Sequence, residues 1–112
     1  MKIKSRDEAG ITVLEPQGKI TIGMGDVALR DSVHAALEAG SRDILIDLHG
    51  VSTIDSSGIG ELVSAFTTVT NRGGKLKLLR LPPKVQDILQ ITQLMTVFDV
   101  FDDEIEALQS FD

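Results

Sequence analysis

The sequence predicts an α/β fold: one domain holding a mixed β-sheet, an N-terminal hairpin and four α-helices, in the order β-β-α-β-α-β-α-β-α. Three observations carry this. The short apolar runs "ILIDL" and "KLKLL" have the length and composition of strands covered on both faces. Between and after them lie longer stretches whose apolar residues recur every three or four positions. Two segments rich in β-branched residues, separated only by "DEAG", open the chain as a hairpin.

Taken in order, "MKIKSR" alternates and reads as an edge strand. "ITVLEPQGKIT" is its hairpin partner, with Pro16 expected at a sheet edge or strand end because proline offers no N–H to a ladder. The glycine-broken "IGMGD" is a loop. Asp26 is expected to N-cap a helix over 27–39, whose inner face carries Leu29, Val33, Ala36 and Leu37, with Gly40 just past its end. "DILIDLHG" reads as one central strand, and Asp47 as a polar strand residue facing the loop that follows. A helix over 57–72 carries the stripe Ile59, Leu62, Val63, Phe66 and Val69, and Gly73 and Gly74 stop it. "KLKLLRLP" is a third core strand. Pro83 falls at the first position of a helix over 83–92, with Val85, Ile88, Leu89 and Thr92 inward. "VFDVFD" alternates as the last strand. "DEIEALQSF" is a short amphipathic helix whose acidic first turn suits the helix dipole.

A chain of 112 residues fits one domain, 1–112, with a core that needs no staples. A net charge of −6 argues against DNA, RNA or anionic lipid as a partner and permits a basic protein. With no cysteine, disulfides, thiolate metal sites and cysteine nucleophiles are excluded. The N-terminus lacks the apolar stretch of a secretory signal, and no run approaches the ~18 residues that span a bilayer. A cytoplasmic protein is expected. No tryptophan or tyrosine is present to stack on bases.

The stretch "TIDSSGIGELVSAF" (53–66) sits at a strand-to-helix turn. One of Asp55, Ser56 or Ser57 is expected to cap the helix, whose free N–H groups and dipole favour anions. Gly58 and Gly60 each cost ~1 kcal/mol against alanine in a helix interior. The gain is a bare backbone that another surface can approach. No phosphate-cradling "GxxxxGK[ST]" and no "GxSxG" nucleophile elbow occurs. Of two histidines, His34 lies on the charged side of its helix. His49 follows a strand at the same end of the sheet as Ser56, so a Ser56–His49 hydrolase is the weaker alternative. The stronger reading is a seryl phosphorylation site. A phosphoserine carries about −1.5 to −2 charges and is tolerated at a helix start. A partner carboxylate about 5 Å away, at an effective dielectric of about 20, loses roughly 3 kcal/mol per unit charge. Half of that is still about tenfold in affinity.

The run Asp55-Ser56-Ser57-Gly58-Ile59-Gly60 resembles the signature of the STAS domain, specifically of stand-alone bacterial anti-sigma factor antagonists. The segments "GGKLKLLRLPPKVQDILQITQL" and "FDVFDDEIEAL" extend the similarity over nearly the whole chain. The resemblance implies a partner switch in transcription regulation rather than an enzyme, with no cofactor and no metal. The expected partner is an anti-sigma factor that is also a serine kinase of the histidine-kinase-like ATPase type. It phosphorylates the first signature serine, and a metal-dependent serine/threonine phosphatase reverses this. Carried over, Ser56 is the phosphoacceptor, with Ser57 as the alternative, and otherwise Ser57 caps the helix or contacts the partner. Asp55 precedes the acceptor. Gly58 and Gly60 let the kinase approach. Asp26, in the loop "ITIGMGD", is the expected contact residue; that loop is longer and richer in glycine than the family's usual polar version. A STAS scaffold subunit of a larger signalling assembly is the other alternative. A transporter fragment is disfavoured, because the chain starts with its own methionine and has no spanning segment.

Overall fold

Ala9 and Gly10, at φ 54° and 83°, turn strand β1 (Lys2–Glu8) into β2 (Ile11–Ile20). Two residues of positive φ are what a tight hairpin with the native strand twist requires. The register runs from Lys2↔Gln17 to Glu8↔Ile11, antiparallel. This computed structural model describes residues 1–112.

β2 organises the sheet. Its first half, Thr12–Leu14, pairs in parallel with β3 (Ile44–Asp47); its second half, Gly18–Ile20, pairs in parallel with β4 (Val51–Ile54). The single strand expected over "DILIDLHG" is therefore corrected: the chain leaves β3 and re-enters as β4, giving six strands rather than five. The reason is length. A ten-residue β2 outruns a four-residue β3 and keeps a free ladder for a second partner. Val51 N–H closes the step on Leu48 O at 3.0 Å.

Pro16 is buried inside β2, not at an edge or a strand end. Thr12 N–H donates to Asp43 O and Gly18 N–H to Gly50 O, both 3.0 Å. The even-numbered amides of β2 thus face β3 and β4. Pro16 falls at the seam between those two partners, where no ladder asks for an N–H.

The full order is β1-β2-β3-β5-β6, with β5 (Leu76–Leu79) and β6 (Val100–Phe101) parallel to β3. Helices α1 (Gly25–Glu38), α2 (Ser56–Asn71) and α3 (Pro83–Ile91) bury Leu29, Val33, Ile59, Leu62, Val85 and Leu89 against Leu14, Ile46 and Leu78. The opposite face, Ile11, Val13, Leu45 and Leu79, is covered by Ala107 of α4 (Glu104–Gln109) and by Phe111 just beyond it. Alternate residues of each central strand serve alternate layers, which is why these strands read as unbroken apolar runs.

Lys77 interrupts one such run. Its ammonium is buried under α4, donates to Ser110 O at 2.8 Å and Oγ at 3.0 Å, and lies over Phe111 with 5.0 Å to the ring centre. Arg6, paired with Glu15 and Glu104, ties α4 to the hairpin. Near the end of α3, Thr92 is exposed rather than inward, and its hydroxyl donates back to Ile88 O at 2.7 Å. The expected last strand shortens to Val100–Phe101, because Leu94–Thr96 forms a single 3-10 turn. No helix is long and apolar enough to cross a membrane.

Candidate functional site

β2 and β4 end side by side, with Ile20 opposite Ile54. Two segments spring from these ends: residues 21–24, leading into α1, and Asp55, leading into α2. Asp55 is extended (φ −109°, ψ −173°) and is the N-cap of α2. Its Oδ1 accepts from Gly58 N–H at 3.0 Å, and its Oδ2 accepts from Ile22 N–H at 2.9 Å. A carboxylate has acceptors enough for both roles. The Gly58 amide, then the Ile22 amide, hold its pKa below the ordinary aspartate value. Among the three candidate caps the structure thus takes Asp55, and Ser57 is corrected out of that role.

Ser56 is the first residue of α2 and is exposed; Ser57 is half-buried. The two glycines behind them differ. Gly58 is buried, and a Cβ there would lie 2.2 Å from Ile20 O and 2.6 Å from Ile54 Cγ1. Its lack of a side chain lets the helix start press on the strand ends, a reason internal to the fold. Gly60 is exposed, with nothing within 4 Å of its Cβ position. No contact within the fold explains its lack of a side chain.

Asp26 is not the N-cap of α1. That position falls to Met24, which makes no side-chain cap bond, and Asp26 lies in the first turn. The helix starts earlier than the residue types indicate because Gly25 packs where a Cβ would lie 1.9 Å from Lys19 O. The Asp26 carboxylate reaches back instead, accepting from Gly23 N–H at 3.0 Å and from its neighbour Val27 N–H at 2.7 Å. Thr21 O accepts from Asp26 N–H at 3.1 Å. The 21–24 turn is therefore pinned by its backbone. The side chains of Ile22 and Met24 are left outside, 75% and 72% exposed. Sequence reasoning passed over these two; the available signal was large apolar residues set beside glycines in a loop.

His49 does not join the site. The additional strand β4 lies between it and Ser56 in the chain. His49 borders a hollow with Arg80, Pro82, Pro83 and Asp102 instead. Its backbone N–H donates to Asp47 Oδ1 at 3.1 Å, and the buried Asp47 pairs with Arg80 at 3.1 Å. Both oxygens of Asp55 are engaged by amides and its pKa is lowered, so it is a poor base for Ser56. The arrangement presents a hydroxyl; it does not activate one.

The sequence profile of the STAS domain matches residues 2–107. The chain belongs to the STAS domain family. Its hairpin, six-stranded sheet and four helices are the STAS architecture, and the signature Asp55–Gly60 is its second helix start. An anti-sigma F factor antagonist from Paenibacillus polymyxa is 20% identical over 96% of this STAS chain and 92% of its own. A candidate anti-sigma factor antagonist from Thermotoga maritima superposes with a TM-score of 0.90, at 23% identity over 97% and 93% of the two chains. The Bacillus cell fate determinant SpoIIAA in its phosphorylated form gives 0.76, at 18% identity over 99% and 100%. At these identities the structural likeness establishes the fold.

Proposed function

We propose that this STAS domain is an anti-sigma factor antagonist acting as a phosphorylation-controlled partner switch. Unphosphorylated, it binds an anti-sigma factor that is also a serine kinase, and so frees a sigma factor for transcription. The kinase phosphorylates Ser56, with Ser57 the second choice, and the complex dissolves. A metal-dependent serine/threonine phosphatase restores the binder. The domain is a substrate rather than an enzyme, works in the cytoplasm and contacts neither nucleic acid nor membrane.

One observation carries the reading: Ser56 is exposed at the first position of a helix whose cap is already filled by Asp55. A phosphate there is compatible with the helix dipole and displaces nothing in the core. It also meets the Asp55 carboxylate, so negative charge accumulates at the surface that faces a docked partner. The names of the relatives support the antagonist role, and the phosphorylated relative supports the modification.

The test uses each histidine-kinase-like anti-sigma kinase of the source organism, purified singly. After incubation with ATP, intact mass and peptide mapping should find one phosphoryl group, on Ser56. Calorimetry should show tight binding before and weak binding after. Ser56→Ala should remain a constitutive binder and Ser56→Asp should bind poorly. Equal affinity of the phosphorylated and unphosphorylated forms rejects the switch.

A further inference from the structure

We infer that the turn carrying Ile22 and Met24 is an apolar plug that enters an apolar pocket on the anti-sigma kinase. The inference rests on the partner-switch reading and names the chemistry of that partner's surface. Five large apolar side chains of this chain are exposed: Ile22, Met24, Ile91, Val97 and Ile105. Two of them share this one turn, beside Ser56. Isolated exposed apolar residues are ordinary, whereas neighbouring ones mark contact surfaces.

Three features of the turn fit presentation rather than accident. Its backbone is fixed: Ile22 N–H is held by Asp55 and Gly23 N–H by Asp26, while Thr21 O takes Asp26 N–H. A turn already ordered in the free protein loses little entropy on docking. Met24 is an unbranched, polarizable side chain, which moulds to an irregular pocket. Finally, the turn is continuous with the phosphoacceptor. Asp55, the residue before Ser56, bonds Ile22 N–H at 2.9 Å. A kinase that brings a phosphoryl donor to Ser56 therefore works one residue from the carboxylate that holds the Ile22 turn.

The same contact explains how apolar affinity and a charge switch work together. The plug supplies attraction that does not depend on Ser56, and the phosphate supplies the repulsion that cancels it. Binding through the plug has a recognisable thermodynamic signature, a negative heat-capacity change that shrinks when the plug is removed.

The test compares wild type, Ile22→Gln/Met24→Ser and Ser56→Asp against the same panel of purified anti-sigma kinases, by calorimetry at several temperatures. Serine at position 24 is a favoured helix cap, so α1 is retained; unchanged circular dichroism and melting confirm it. The double variant is expected to lose affinity by about tenfold or more per side chain and to show a smaller heat-capacity change. A double variant that binds as wild type does, while Ser56→Asp binds weakly, overturns the plug and leaves the switch standing. Binding that is unchanged in both variants, or absent for every kinase of the panel, overturns the switch and the plug with it. A wild type that dimerises in light scattering, with a monomeric double variant that still binds kinase fully, makes the patch a self-association face and also overturns the inference.

Discussion

The Asp55 carboxylate spans two segments distant in sequence, holding Ile22 N–H at 2.9 Å while it caps α2 through Gly58 N–H at 3.0 Å. The turn after β2 and the helix after β4 are thereby one rigid surface, and one side chain sets their relative position.

Removing that side chain in two ways should separate its two bonds. Asparagine keeps one carbonyl oxygen for the cap and loses the second acceptor. In Asp55→Asn the Gly58 amide should stay protected from hydrogen exchange while the Ile22 amide exchanges faster. In Asp55→Ala both should exchange faster and the melting temperature should drop. Unchanged Ile22 exchange in both variants would show that the turn holds itself.

The acid limb of stability carries the same signature. Gly58 and Ile22 favour the charged carboxylate, so the folded-state pKa of Asp55 lies below the unfolded value. A depressed carboxylate stabilises above its unfolded pKa, and that contribution is lost as pH falls through the folded one. The stability advantage of wild type over Asp55→Asn should therefore be constant near neutrality and shrink at acid pH. Urea midpoints across the carboxylate range, with a carbon-13 titration of Asp55, measure both.

Gly58 and Gly60 should respond oppositely to alanine. At Gly58 the new methyl meets Ile20 O at 2.2 Å, and overpacking of this kind costs roughly 1–3 kcal/mol. At Gly60 it meets open space, and the restricted unfolded chain favours the variant by about 0.5–1 kcal/mol. Gly60→Ala should thus be more stable yet bind the kinase less well, which denaturant titration and calorimetry on one sample can show.

Asp47 and Arg80 form the test of the sheet's polar interior. Arg80→Ala leaves a buried carboxylate short of its guanidinium and should cost about 2 kcal/mol. Arg80 has a φ of 53°, but alanine pays the same backbone cost, so that contribution cancels. Asp47→Asn removes the buried charge itself and should be milder. The double variant should lose less than the sum, because each change removes the reason the other hurts.

Much of this was legible in the chain. The apolar runs located β3 and β5, and the helical stripes located α1, α2 and α3 to within a few residues. What escaped was set by partners rather than by local pattern. β4 is four residues long and exists because β2 has unpaired length beyond β3. Pro16 looks like an edge residue until the seam between β3 and β4 is known. Asp26 has the composition of a cap, but the start of α1 is decided by how closely Gly25 can approach Lys19 O. The signature expected Asp55, Ser56 and Gly60 at a helix start, and they lie there, whereas the exposure of Ile22 and Met24 depends on Asp55 reaching across to a segment that no local window contains.

The change of partner along β2 has one more effect. Ile20 and Ile54, from which both site segments depart, belong to a two-stranded outcrop that β3, β5 and β6 do not share. Both residues are nonetheless sunk in the main core, 0% and 3% exposed, so the outcrop is anchored at its far end as well as at its root. A modifying enzyme therefore meets Ser56 on a footing that the interior of the molecule already holds still.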